Sequence, residues 1–143
     1  MLDQVGRESI KNFAEKYKGV PFVDQGRDPS GWDCWGLILA AYKACLGVAL
    51  PSASDYSFQA PREAGRVLLR GAAQYPEVPL GAEKPGDVII FRPCHAALVV
   101  RRGWMLNCRE QTGTVIERYD NALWQRLIVG IYRYEPTGPA AAI

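Results

Sequence analysis

The 143-residue chain contains a single histidine, His95, and its four cysteines form no close pair. Cys34 and Cys45 are 11 residues apart, and Cys94 and Cys108 are 14 apart. Structural zinc sites draw on C-x-x-C pairs and several histidines, so these spacings argue against a metal. Disulfide frameworks belong to small secreted chains with little core, whereas a chain of this length buries a core of its own. No apolar run reaches the ~18 residues that a membrane span requires. The formal charge is +2, with no basic arm and no acidic tail, so no nucleic-acid partner is expected. The N-terminal run "MLDQVGRESIKNFAEKYKG" lacks the charged-then-apolar pattern of a secretion signal. It reads as a chain made in the cytoplasm without an export address of its own. No cofactor is expected.

What is present is ordinary globular composition, 48% hydrophobic and 22% charged, organised helices first and strands second. An amphipathic helix is predicted from about Leu2 to Lys18, with Val5, Ile10, Phe13, Ala14 and Tyr17 near one face. A second runs from Cys34 to Leu46, stopped at Gly47, and a third from Arg62 to about Gly71 behind Pro61. From Asp87 the period changes. "DVIIF", "HAALVV", "WMLNC", "TVIERY" and "LIVGIYRY" are short β-branched or aromatic runs separated by turn signals. The expected class is α+β, with N-terminal helices packed on a C-terminal antiparallel sheet. One domain is expected over residues 1–135, with 136–143 a loose or docking tail.

The stretch "GWDCWGLILAAY" places a cysteine at the first turn of the second helix. Asp33 is suited to cap that helix. The macrodipole and the unpaired first-turn amides favour a thiolate at Cys34, in settings that lower a cysteine pKa from ~8.5 into the range ~3.5–7.5. Leu37, Ile38, Ala41 and Cys45 share its stripe, so Cys34 looks toward the core. Gly36 allows another backbone to come close. The competing reading is a buried structural cysteine, which is how Cys45 is read.

A nucleophilic thiol needs a base, and His95 is the one candidate. It opens a strand on which Ala97 and Val99 share its face. Two hairpin registers are open. A three-residue connection over Arg101–Gly103 pairs Ala97 with Asn107 and brings Asn107 to the His95 face, where its amide can orient the imidazole. A two-residue connection at Arg102-Gly103 turns Asn107 away and brings Leu106 or Cys108 there instead. Cys94 and Cys108 are read as structural.

The runs "KGVPFVDQGRDPSGWDCWGLILAAY", "KPGDVIIF" and "HAALVV", in that order, resemble the NlpC-type cell-wall cysteine peptidases, papain-like enzymes that cut the peptide stems of bacterial peptidoglycan. The resemblance covers about Lys18 to Cys108. It implies a papain-like fold with Cys34 as nucleophile, His95 as base and Asn107 as orienting residue. It also implies an oxyanion and substrate site built from Asp33, the Cys34 backbone N–H and Trp35. Asp33 can cap the helix or receive a substrate amino group, and both readings stand. The tyrosine often found after the proline of the preceding loop is here Phe22, and the small polar residue after the cysteine is Trp35. Trp32, Trp35, Arg27 and Arg102 are candidate groove residues.

"GRDPSGWDCWGL" followed by "LGVALPSASDY" resembles most the branch found in tailed-phage tail-tip modules. The implied setting is a virion component, made in the host cytoplasm and acting at the cell wall, with other tail-tip or hub proteins as partners. Two rival functions remain: a structural tail-hub protein that keeps the fold without the chemistry, and a cytoplasmic thiol amidase or acyltransferase acting on a small molecule.

Overall fold

The computed structural model describes residues 8–52 and 56–135. The expected start of the first helix before residue 8, including Val5, and the expected tail at 136–143 lie outside the described residues. Helix α1 spans Ile10–Tyr17, opened by Ser9, whose hydroxyl accepts the Asn12 N–H at 3.0 Å. Ser9 supplies a cap that the apolar periodicity alone does not reveal, and α1 starts at Ile10.

A two-stranded ribbon follows, β1 (Arg27–Asp28) and β2 (Gly31–Trp32), and leads directly into α2 (Cys34–Ala41). A π turn over Tyr42–Leu46 extends α2, and Gly47 ends it at φ 69°. Glycine is suited to that left-handed stop. Helix α3 spans Pro61–Ala72 with its proline at the first turn.

The second half of the chain is a five-stranded antiparallel sheet: β3 (Val88–Phe91), β4 (His95–Arg101), β5 (Trp104–Arg109), β6 (Gly113–Arg118) and β7 (Ile128–Tyr132). Its order is β6-β5-β4-β3-β7. A short helix, α4 (Ala122–Gln125), lies between β6 and β7. The α+β class with helices on an antiparallel sheet is therefore observed.

Strand alternation divides the apolar side chains between two faces. Val88, Ile90, Ala96, Leu98, Leu106 and Cys108 join Cys34, Leu37, Ile38 and Ala41 in the helix-side core. Ile89, Phe91, Ala97, Val99, Met105 and Ile131 form a second cluster on the other face, with Trp124 of α4 against it. Trp32 ties the loop before α2 to the sheet. It is fully buried, and its indole N–H donates to the Thr114 hydroxyl at 2.8 Å. The backbone of the loop after α1 is pinned at the same place, Gly19 donating to the Thr114 carbonyl and Thr114 to that of Val20. Trp32 therefore packs in the core and takes no part in a surface groove.

The β4–β5 hairpin combines the two registers foreseen for it. The turn has two residues, Arg102 and Gly103, but the pairing slips between Val99 and Arg101. Val100 is the extra residue of a bulge. Val99 thus faces Met105 and Leu98 faces Leu106, and the register continues with Asn107 on the His95 face.

Gly36, in the first turn of α2, sits so close to the ribbon that a Cβ there would overlap the Gly26 carbonyl oxygen. Gly36→Ala is expected to lower unfolding free energy by about 1–3 kcal/mol, the usual result of overpacking. Chemical denaturation checks this, with Gly71→Ala, which meets only the rim of Trp35, as the control.

Candidate active site

The site begins with the carboxylate of Asp33, which has no exposed surface. Oδ1 accepts the Gly36 N–H at 2.8 Å and Arg27 Nη1 at 3.1 Å. Oδ2 accepts the Gln25 N–H at 2.9 Å and the Tyr56 hydroxyl at 2.6 Å. Gln25 adopts φ 63°, a conformation costly for a residue with a side chain, and its N–H reaches the carboxylate from there. The Arg27 guanidinium also donates to Tyr56, the Ser52 carbonyl and hydroxyl, and the Gly26 carbonyl. Asp33 thus caps α2 and neutralises Arg27 at once. With four donors already on it, the carboxylate has no open side for a substrate amine.

Cys34 follows with 0% exposure. Its sulfur lies against β4, where the backbone N–H of Ala96 points at it. Cys94 and Cys108 belong to the same side of the sheet and add to the field at the sulfur. Cys108 is anchored there by its thiol, which donates to the Trp32 carbonyl at 3.3 Å. Burial pushes the Cys34 thiol well above its ordinary range, and the Asp33 charge adds to the rise; only the Ala96 N–H opposes it. The pKa expected to fall at the helix start is instead raised, first by burial and then by the adjacent Asp33 carboxylate.

His95 stands one residue before Ala96. Its Nε2 lies 3.0 Å from Asn107 Oδ1. The ring sits between Phe91, centroid 5.7 Å away, and Trp124, at 5.9 Å and 30°. Burial lowers the imidazole pKa to about 4, while the Asn107 hydrogen bond works against that shift. Burial thus favours the uncharged form of both groups, and the contact of the Cys34 sulfur is with the Ala96 N–H rather than with the imidazole. Since Nε2 is engaged by Asn107, Nδ1 is the nitrogen left for a proton coming from the thiol side.

The first-turn amides of Cys34 and Trp35 are those the helix leaves unpaired, because Gly36 is capped by Asp33 and Leu37 bonds the Asp33 carbonyl. The Trp35 side chain is turned inward, its indole N–H donating to the Pro51 carbonyl at 3.1 Å. Any contact of Trp35 with substrate falls to its backbone. Among the described residues, no cluster of three or more histidine, cysteine or acidic side chains is placed to hold a metal ion.

Several residues around the site were not anticipated. Tyr56, in the segment read as a plain connection, donates its hydroxyl to Asp33 and accepts from Arg27. Phe22 packs on Phe58, and Phe58 on Tyr56. Glu117, Arg109 and Trp124 surround the Asn107–His95 pair. For Glu117 a signal existed. Once β5 and β6 pair as a hairpin, Asn107 faces Val115, and Glu117 falls diagonally beside it.

A sequence profile of the NlpC/P60 family matches residues 19–133. A curated relative, the gamma-DL-glutamyl hydrolase of Bacillus subtilis (strain 168), is 26% identical over 129 residues, covering 85% of this chain and 28% of its own. The chain thus spans under a third of that relative. The NlpC/p60 domain of the peptidoglycan hydrolase SagA superposes with a TM-score of 0.64 at 18% identity, over 88% of this chain and 97% of the domain. RipD from Mycobacterium tuberculosis is described as a non-catalytic NlpC/p60 domain protein adapted to peptidoglycan binding. It superposes at 0.61 and 19% identity, over 90% of this chain and 99% of its own.

The two buried groups make two pH predictions. The imidazole resonances of the only histidine are expected to titrate near pH 4, so His95 stays an available base as pH falls to about 5 and is lost below that. Alkylation of Cys34 by iodoacetamide is expected to stay low through the ordinary thiol range and to rise only above it, without a plateau near neutrality. A low-pH plateau would show a preformed thiolate–imidazolium pair instead.

Proposed function

The chain belongs to the NlpC/P60 family, and we propose that it is a cysteine peptidase that cleaves amide bonds in the peptide stems of bacterial cell-wall peptidoglycan. The observation that carries the reading is the 3.0 Å contact of His95 Nε2 with Asn107 Oδ1, beside a Cys34 sulfur that meets the next backbone N–H along the strand. That arrangement supports Cys34 as nucleophile, His95 as base and Asn107 as the residue that orients it.

In the proposed reaction the thiol proton passes to His95 Nδ1 as sulfur bonds to the scissile carbonyl carbon. A free thiolate never accumulates, because charge moves from sulfur to the carbonyl oxygen as the proton leaves. The oxyanion is held by the Cys34 and Trp35 N–H groups. His95 then gives its proton to the departing amine, whose C–N bond breaks to leave a thioester. Next it takes a proton from water as the oxygen attacks, and the thiol is restored. With Asp33 closed off by Arg27 and Tyr56, recognition of a substrate amino terminus would have to come from other groups. Arg62, Arg66 and Arg92 line a groove over the apolar floor of Leu69 and Phe91, next to the Pro93 turn, and suit a substrate that carries carboxylates.

We place this activity at a phage tail tip, on the similarity of "GRDPSGWDCWGL" and "LGVALPSASDY" to that branch, with neighbouring tail proteins as partners. A second reading is favoured by the burial and raised pKa of Cys34: a wall-binding or structural member without turnover, the role given to RipD.

Incubation with purified peptidoglycan separates the two. Release of new amino termini by the wild type, reduced at least about 10³-fold in Cys34→Ala, is the expected result. Equal inactivity of both proteins, with co-sedimentation on the wall material retained, would establish the binding role instead.

A further inference from the structure

We infer that Glu117 is a positioning residue of this site, holding the Asn107 amide with its oxygen toward His95 and so deciding which imidazole nitrogen is basic. This rests on reading Cys34, His95 and Asn107 as the reacting group. Asn107 Nδ2 donates to Glu117 Oε2 at 2.9 Å. Arg109 Nη2 donates to the same carboxylate oxygen at 3.0 Å, and Arg109 Nε donates to Asn107 Oδ1 at 3.3 Å. The amide is therefore gripped at both ends, its NH₂ by an acceptor and its oxygen by two donors. Turned over, it would set NH₂ against the N–H groups of Arg109 and the carbonyl oxygen against a carboxylate. Asn107 has no exposed surface, so water cannot compensate for those lost bonds.

The consequence for the imidazole follows from donor and acceptor roles. An amide oxygen facing Nε2 requires the proton on Nε2, which leaves a lone pair on Nδ1. An amide NH₂ in that place would select the opposite tautomer, with Nδ1 already protonated and unable to take the thiol proton. Asparagine carries no charge of its own, and Glu117 supplies one at the next position out.

Charged groups acting on the ring are Glu117 from β6, which raises its pKa, and Arg109 from β5, which lowers it. Helix α4 and β3 contribute the uncharged rings of Trp124 and Phe91. On the Ala96 side are the thiols of Cys34 and Cys94. Arg109 also lies over Trp124, its guanidinium carbon 5.3 Å from the ring centroid. Arg109 thus bears on both the amide and the ring stacked on the imidazole.

Because His95 is the only histidine, long-range ¹H–¹⁵N spectra of the untagged chain report its tautomer directly, without any turnover. At pH 7 the wild type is expected to show a protonated Nε2 and a bare Nδ1. Glu117→Ala is expected to convert this to a tautomer mixture. Glu117→Gln, which keeps an acceptor oxygen and the side-chain length, is expected to retain the wild-type tautomer. Arg109→Gln is expected to raise the His95 titration midpoint. In hydrolysis assays Glu117→Ala is expected to lower kcat about tenfold or more with KM unchanged. A folded Glu117→Ala protein with the wild-type tautomer would overturn the inference. Should Cys34→Ala prove as active as the wild type, the peptidase reading falls while the spectra still decide the role of Glu117.

Discussion

Four donors converge on the buried carboxylate of Asp33: the N–H of Gly36, the N–H of Gln25, the guanidinium of Arg27 and the hydroxyl of Tyr56. They come from the helix, the ribbon with the loop before it, and the connection after α2, and the carboxylate draws these three segments to one point. A buried carboxylate is tolerated only when its lone pairs are filled, and each donor needs that carboxylate in turn. This mutual requirement fixes where α2 begins, and with it the position of Cys34. Gly26 and Gly36 make the convergence possible, since a side chain on Gly36 would keep the ribbon from reaching the helix.

The sheet supplies the second half of the site along a different principle. Alternation along β4 sends Ala96 toward the helices and His95 toward Asn107, Phe91 and Trp124. The Cys34 sulfur meets the strand at the Ala96 N–H, one residue beyond His95, although the two side chains belong to different surroundings. Apolar packing on both sides lowers the charge that either group can carry at rest. In the proposed reaction, proton movement is thereby tied to the arrival of a carbonyl that can accept the charge.

Much of this was legible in the residues. Helix α2, its Asp33 cap, its stop at Gly47 and the later strands follow from periodicity and punctuation, which are local signals. The pairing of His95 with Asn107 was legible only as one of two registers. The deciding feature, a bulge at Val100, has no sequence signature in a run of valines. The raised pKa of Cys34 was not legible, because macrodipole and desolvation have opposite signs and only packing tells which is larger. Tyr56 and Trp124 were hidden for a further reason: each sits in a segment whose position depends on partners dozens of residues away.

The indole of Trp32 and the hydroxyl of Thr114 are bonded across 82 residues of chain. Contacts of that separation make folding slow, since a long loop must close before anything is gained. The thiol-bearing segment leaves the ribosome well before the strand that anchors it. Until β6 has been synthesised and docked, the Trp32 indole N–H lacks its Thr114 partner. The seating of the loop before α2 is therefore completed late, as a property of the finished chain rather than of its first half.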